Sequence, residues 1–498
     1  MEILFTIIRN TFSPLLPSYF QSRTADVKPF RITTTSALDG IRGIAALFVF
    51  CFHLLFSYQQ FIEYGYGQSD QNMRLVQFPF LSIFHRGHSM VAVFFVVGGY
   101  VLSLKPLKLI SSGQVSSAHD VLASSALRRV IRLYLPAFVA TFLTMITVYF
   151  GLWEYPRQFI DTTEYKKYIF YADAHPARQS NFKAQIKDWL TEAMGLTGIF
   201  TYYNHGFSMP YYNSYDPHLW TVPFELRSSL TLVLMLLMLS RCTHRARVVL
   251  LLVAITFCAT WDRWELVAFL SGSVLCALDT NASPSSATTS PTSVGERSDS
   301  KLPLHSSSAF STAETAVLPR KCSCRRLPWM LLFIASIYLL CTPNFAADST
   351  PGYVALSSLL TPTTYTDPKR GPQTLGAIGI TWAVANCPTL QRPFNTRFAQ
   401  YLGKISYAFY IVHGPAIHII GYSVTPALWR AAGVTMADGA GAVSPAWAKY
   451  WTCLALGTAV LAVVIAVVAD WFWRIVDVRC VKVARWFEDV CSSAAVEP

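Results

Sequence analysis

Long apolar runs recur from one end of this chain to the other. Over the 498 residues they fall at roughly 41–59, 88–105, 133–152, 217–240, 248–262, 264–280, 328–343, 373–388, 403–424 and 451–473. In hydrocarbon every backbone N–H and C=O must be paired within the protein, so such runs form helices. Only 14% of the residues are charged, against about 25% in soluble domains. The pattern predicts an all-α, polytopic membrane helical bundle of about ten transmembrane helices. The excess of 40 Lys and Arg over 28 Asp and Glu fits that reading, because cytoplasmic loops of membrane proteins collect basic residues. No nucleic-acid-binding motif accompanies the charge, so the expected large partner is the lipid bilayer and not nucleic acid.

The basic clusters set the topology. With the N-terminus inside, the cytoplasmic segments are 1–40, 105–132, 241–247, 281–327, 389–402 and 474–498, each with clustered Lys or Arg. The chain then divides into a cytoplasmic N-terminal segment (1–37), six helices (38–280), a disordered loop (281–327), four helices (328–476) and a cytoplasmic tail (477–498). The loop is rich in Ser, Thr, Ala and Pro, a composition that cannot bury a core. Residues 154–216, rich in Tyr and Phe, are expected to form a cap on the far side of the bundle. The 11 cysteines are scattered, and many lie inside apolar runs. No disulfide framework follows from them, and Cys322-Ser-Cys324 lacks a second pair at zinc spacing. No metal is expected.

The first apolar run carries an unusual stripe. Leu38-Asp39-Gly40-Ile41-Arg42-Gly43 opens it, and His53 lies eleven residues beyond Arg42. At 100° per residue that is three turns plus about 20°, so both side chains share a face, roughly 16 Å apart along the axis. Asp39, three residues before Arg42, falls on the same face. Three ionisable groups on one stripe of a membrane helix are costly unless they face a protein interior or a water-filled cavity.

Two other runs hold polar groups at similar depth. Glu225 lies about two turns inside the fourth. Ser406, Tyr410 and His413 share one face of the ninth at i, i+4, i+7. Asp216-Pro217 reads as the N-cap and first turn of the fourth helix. Gly98 and Gly99 in the second run read as a site of close helix packing. Converging His, Glu, Ser and Tyr groups make a buried polar site, and a histidine there suits proton transfer from a hydroxyl.

These residues resemble the signatures of the membrane-bound acyltransferase-3 family. Leu38 to His53 is similar to its opening motif, with Arg42 and His53 at the Arg-X10-His spacing. Val93-Phe94-Phe95-Val96-Val97-Gly98-Gly99 is similar to Phe-Phe-X-X-Ser-Gly, with Gly98 in place of the usual serine. Arg128-Arg129-Val130-Ile131-Arg132 resembles the family's basic motif. Leu219-Trp220-Thr221-Val222-Pro223-Phe224-Glu225 resembles Leu-Trp-Ser-X-X-X-Glu, and Ser406-Tyr407-Ala408-Phe409-Tyr410-Ile411-Val412-His413 resembles Ser-Tyr-X-X-Tyr-X-X-His.

The resemblance implies transfer of an acyl group, most often acetyl from acetyl-CoA or another acyl-CoA, to a hydroxyl. No tightly bound cofactor is implied. His53 would be the general base, with Arg42 and Asp39 on the donor's path. Arg128, Arg129 and Arg132 would meet the donor's phosphates. Glu225, His413, Tyr410, Ser406 and Trp220 would line the acceptor's cavity. The Ser/Thr-rich loop and the aromatic cap resemble fungal members, which implies a hydroxylated small-molecule acceptor such as a terpenoid or polyketide. A surface polysaccharide or lipid is the alternative acceptor. The implied location is the endoplasmic reticulum or the plasma membrane. A proton-coupled transporter would also need intramembrane ionisable groups, but the matched repeats common in that class are absent.

Overall fold

In the computed structural model, the described residues are 17–21, 32–161, 169, 171–173, 175–200, 211–281, 326–434 and 445–493. The expected disordered loop and most of the N-terminal segment lie outside them. Among the described residues the protein is helical and contains no strand.

The longer helices, in chain order, are α1 (Ser36–Tyr58), α2 (Gly87–Ser111), α3 (Val115–Tyr149), α4 (Glu154–Asp161), α5 (Phe182–Gly195), α6 (Thr221–Met238), α7 (His244–Thr260) and α8 (Trp264–Asn281). After the loop come α9 (Arg326–Leu340), α10 (Val354–Leu360), α11 (Arg370–Asn386), α12 (Arg397–Ala416), α13 (Tyr422–Ala431), α14 (Pro445–Phe472) and α15 (Val478–Ser493). Each expected apolar run falls on a helix. Among the described residues, five helical stretches are long and apolar enough to cross a membrane: α1, α2, α3, Pro217–Met238 and Ala448–Ser492. Helix α9 is apolar but shorter. Helices α7, α8, α11 and α12 are shorter or less apolar than these. A helix enclosed by others need not be greasy on every side, and α8 is buried over most of its length.

One expected loop is helix. Lys105 and Lys108 lie in α2, and Arg128, Arg129 and Arg132 lie in α3, which runs unbroken for 35 residues. At 1.5 Å per residue α3 is about 52 Å long, well beyond a hydrocarbon core of about 30 Å. Apolarity alone marked only its second half. In its polar first half Ser, His, Asp and Arg interrupt the greasy pattern, so apolarity does not mark it as helix. Residues 478–493 of the C-terminal tail form α15, which lies along α3.

Small residues set the closest crossings. A Cβ on Gly99 of α2 would collide with the Phe269 backbone of α8, so the packing role expected for this glycine is borne out. Helices α1 and α12 meet the same way. A Cβ on Gly43 would strike the backbone of Leu402 and Gly403, and one on Gly403 would strike that of Asp39. This crossing positions the site.

Candidate active site

From the Gly43–Gly403 contact, α1 and α12 run side by side in the same direction. His53 and His413 each lie ten residues further on, about 15 Å along each helix. Their imidazoles meet there, with ring centroids 5.4 Å apart. The short helix Pro217–Trp220, which leads into α6, adds a third ring. His218 lies 4.0 Å from His53 and 4.6 Å from His413, centroid to centroid.

His218 is held from several sides. Asp216 caps the short helix by accepting the His218 backbone N–H at 3.1 Å, as Asp216-Pro217 predicted, and the same oxygen lies 2.9 Å from Nδ1 of the ring. The His218 carbonyl accepts the Tyr410 hydroxyl, which also contacts the Thr221 hydroxyl at 2.6 Å. Gly414 makes room for this arrangement. A Cβ there would fall 2.5 Å from His218 Nδ1 and 2.6 Å from Asp216 Oδ1. His413 has its Nδ1 2.5 Å from the Tyr410 carbonyl, so its Nδ1–H donates there and Nε2 is left as the acceptor. The Nε2 atoms of His413 and His218 are buried, with no hydrogen-bond partner among the described residues.

The cap supplies a carboxylate. Asp173 Oδ2 lies 3.4 Å from His218 Nε2 and 3.5 Å from His418 Nε2. Burial alone would raise the Asp173 carboxyl, but the surrounding imidazoles, His218 first, hold it down at about 2. His418 lies on a π turn, Ile417–Gly421, that continues α12 just past Pro415. A π turn at this point re-aims the helix face, and His418 Nδ1 lies 2.9 Å from His175 Nδ1 of the cap. Burial, with His418 and Arg157 nearby, pushes His175 down to about 2.

Of the other expected residues, Asp39, Arg42, Glu225 and the three arginines of α3 collect towards the opposite end of α1. Arg42 makes a loose pair with Asp39 at 3.8 Å, both partly exposed. Glu225 pairs with Arg129 at 2.6 Å. Its near neighbour Arg227 instead pairs with Glu265 of α8, also at 2.6 Å. Arg128 pairs with Glu488 of α15 at 3.1 Å. Arg132 lies within electrostatic range of Asp477 and Arg42. Ser406 gives its proton to the Gly403 carbonyl of its own helix at 2.9 Å. Trp220 packs on Phe224 and lies 5.9 Å from the Arg370 guanidinium. Among the described residues, no hydrogen bond, ion pair or ring contact joins Glu225, Ser406 or Trp220 to the three histidines.

His53, His413 and Tyr410 are thus brought together as expected, while Glu225 belongs with the arginines. His218, Asp216, Asp173 and His418 were missed. The missed signal was local: a histidine two residues after the N-cap aspartate, one turn before Thr221, at the mouth of a membrane helix. The donor atoms of His53, His218 and His413 all lie within 4.8 Å, so the cluster is capable of holding a metal ion. A tetrahedral zinc with bonds of about 2 Å would draw them to roughly 3.4 Å apart. The edge-on packing of His53 against His218 would have to open for that.

Comparison with known proteins places this architecture. The acyltransferase-3 family profile, described as an acyltransferase domain, matches residues 35–471. The O-acetyltransferase PaAT-1 of Phomopsis amygdali is 28% identical over 497 residues, covering 96% of this chain and 88% of the relative. Acyltransferase R4 of Phoma sp. (strain ATCC 20986 / MF5453) and acyltransferase clz18 of Cochliobolus lunatus are each 22% identical, covering 80% of this chain and 86% of theirs. No solved structure is a significant match. The match runs from the helix that carries Arg42 and His53 to the end of the last long apolar helix, and the chain belongs to the acyltransferase-3 family of membrane acyltransferases.

Proposed function

We propose that the protein transfers an acetyl group from acetyl-CoA to a hydroxyl of a small hydroxylated metabolite, with His53 as the general base. The observation that carries this reading is the meeting of His53, His218 and His413 in one enclosed cluster, eleven residues along α1 from Arg42. As the acceptor oxygen attacks the thioester carbonyl carbon, its proton passes to His53. The tetrahedral intermediate then expels the thiolate, which takes up a proton, and the ester and free CoA leave.

The arginine end faces the donor in this reading. Arg42, only loosely paired at 3.8 Å, can exchange Asp39 for a phosphate oxygen by a bidentate contact. Arg128, Arg129 and Arg132 supply fixed positive charge beside it, and Glu225 holds Arg129 in place. The cluster side, beneath the cap, receives the acceptor. Tyr410 and His413 line it, with Trp220 and Ser406 in supporting positions. The reading has ten crossings with the arginine end cytoplasmic, in the endoplasmic reticulum or plasma membrane. Similarity to fungal acyltransferases supports a secondary metabolite, such as a terpenoid or polyketide, as acceptor.

Metabolite profiles of a deletion strain and its parent test the reading. One acetylated compound should vanish and its free alcohol accumulate. Re-expression of the wild type should restore it, and re-expression of His53→Ala should not. Identical profiles of acetylated compounds in deletion and parent strains would overturn the proposal.

A further inference from the structure

Two imidazoles touch at the site, and their surroundings differ. The ring of His218 has a carboxylate at each nitrogen: Asp216 Oδ1 at 2.9 Å from Nδ1 and Asp173 Oδ2 at 3.4 Å from Nε2. A ring so placed has a use for an N–H on both nitrogens. Its Nδ1–H is committed to Asp216, whereas Nε2 is buried without a hydrogen bond. Among the described residues, no carboxylate lies within 4.0 Å of His53. The charged and titratable groups around it are His218 from the α6 entrance, His413 from α12 and His88 from α2. Paired groups whose surroundings favour opposite protonation states are the usual mark of an acid and a base sharing one site.

We propose that His53 and His218 work as an acid–base pair, in which His218, held by Asp216, gives the departing thiolate its proton. The inference rests on the transfer reading above and adds a second catalytic residue to it. The steps balance. The acceptor O–H bond breaks and its proton goes to His53 as the C–O bond forms. The C–S bond breaks, and the sulfur takes the proton from His218 Nε2. The proton on His53 then returns to His218 across the contact between the rings, whose centroids are 4.0 Å apart. One proton has moved from hydroxyl to thiol, and both rings are reset. Asp216 is a positioning residue here. It fixes the ring's orientation by holding the Nδ1–H, which leaves the Nε2 proton as the one to be given up. Asp173 supplies the second negative charge.

A donor whose leaving group needs no proton separates the two roles. The purified full-length chain is given benzyl alcohol as a generic acceptor and either acetyl-CoA or S-acetyl-4-nitrothiophenol as donor. His218→Gln should lose about 10²–10⁴-fold in rate with acetyl-CoA, but less than about tenfold with the nitrothiophenyl ester. His53→Ala should lose its rate with both donors. Asp216→Asn should follow His218→Gln in its donor dependence, with a smaller loss. Equal losses with both donors in His218→Gln, or no loss with acetyl-CoA, would overturn the acid role while leaving His53 as base intact. Full activity in His53→Ala, or no turnover by the wild type with either donor, would count against the transfer reading itself.

Discussion

The two ends of the stripe on α1 solve the same problem with different chemistry. At the arginine end the cations are permanent, and each is met by an acidic group: Asp39 for Arg42, Glu488 for Arg128, Glu225 for Arg129 and Asp477 near Arg132. Guanidinium does not titrate in proteins, so this end is a fixed array suited to holding anions. At the histidine end the partners are imidazoles, whose ring nitrogens can each take or give a proton. Two acidic groups, Asp173 and Asp216, serve a cluster of His53, His218, His413, His418 and His175. In the proposed reading one end binds without changing protonation, and the other passes protons. The proposed transfer from a CoA thioester to a hydroxyl would draw on both, some 16 Å apart along one helix.

That contrast can be broken at either end. The largest effect is expected from His53→Ala, which should lower turnover of acetyl-CoA by about 10²–10⁴-fold. Helix content by circular dichroism should not change. Gly414→Ala comes next. Its new methyl group would press on His218 and Asp216, and displacing a catalytic group by about 1 Å can cost 10²-fold in kcat. The KM for acetyl-CoA should hold, because the arginine end is untouched. Arg42→Lys should act in the opposite sense. A lysine cannot make the bidentate fork, so KM for acetyl-CoA should rise by roughly tenfold with a smaller change in kcat. Equal shifts of KM in both variants would erase the distinction between the two ends.

The smallest expected effect is on stability against pH. His175 stays neutral in the folded protein down to about pH 2, whereas an unfolded histidine binds a proton below about pH 6.5. Below that pH the unfolded state holds more protons, so stability falls as pH falls from about 6.5. His175→Gln should flatten that slope in thermal melts between about pH 4 and pH 6.5. Asp173 acts only lower, since its stabilising charge is lost as pH falls from about 4 towards its folded value of about 2.

Much of this was legible in the sequence, because membrane helices and their polar stripes follow from periodicity. The apolar runs, the face shared by Arg42 and His53, the Asp216 cap and the approach of His413 all follow from spacing. What could not be read was partner choice. Approximate depth suggests Glu225 beside the histidines, yet it lies seven residues beyond His218, about 10 Å further along the helix, and meets Arg129 instead. The first half of α3 was missed because its polar residues hide a helix that packs against α15. His218 was passed over because it lies on a single short turn, too brief for any period. Asp173 and His175 sit in a cap without regular patterning, and only the folded chain carries them to the cluster.

The contact between Gly43 and Gly403 acts as a clamp on two rulers. Both helices count ten residues from it to their histidines. Register at the histidine cluster is therefore decided three turns away, beside Arg42 and Asp39. A bulkier residue at either glycine would spread or slide the helices, and a slip of one turn, about 5.4 Å, would take the two rings out of reach of each other. Tailoring of such an enzyme to a new acceptor thus has a free region and a frozen one: cap positions other than Asp173 and His175 can vary, while the distant clamp must not.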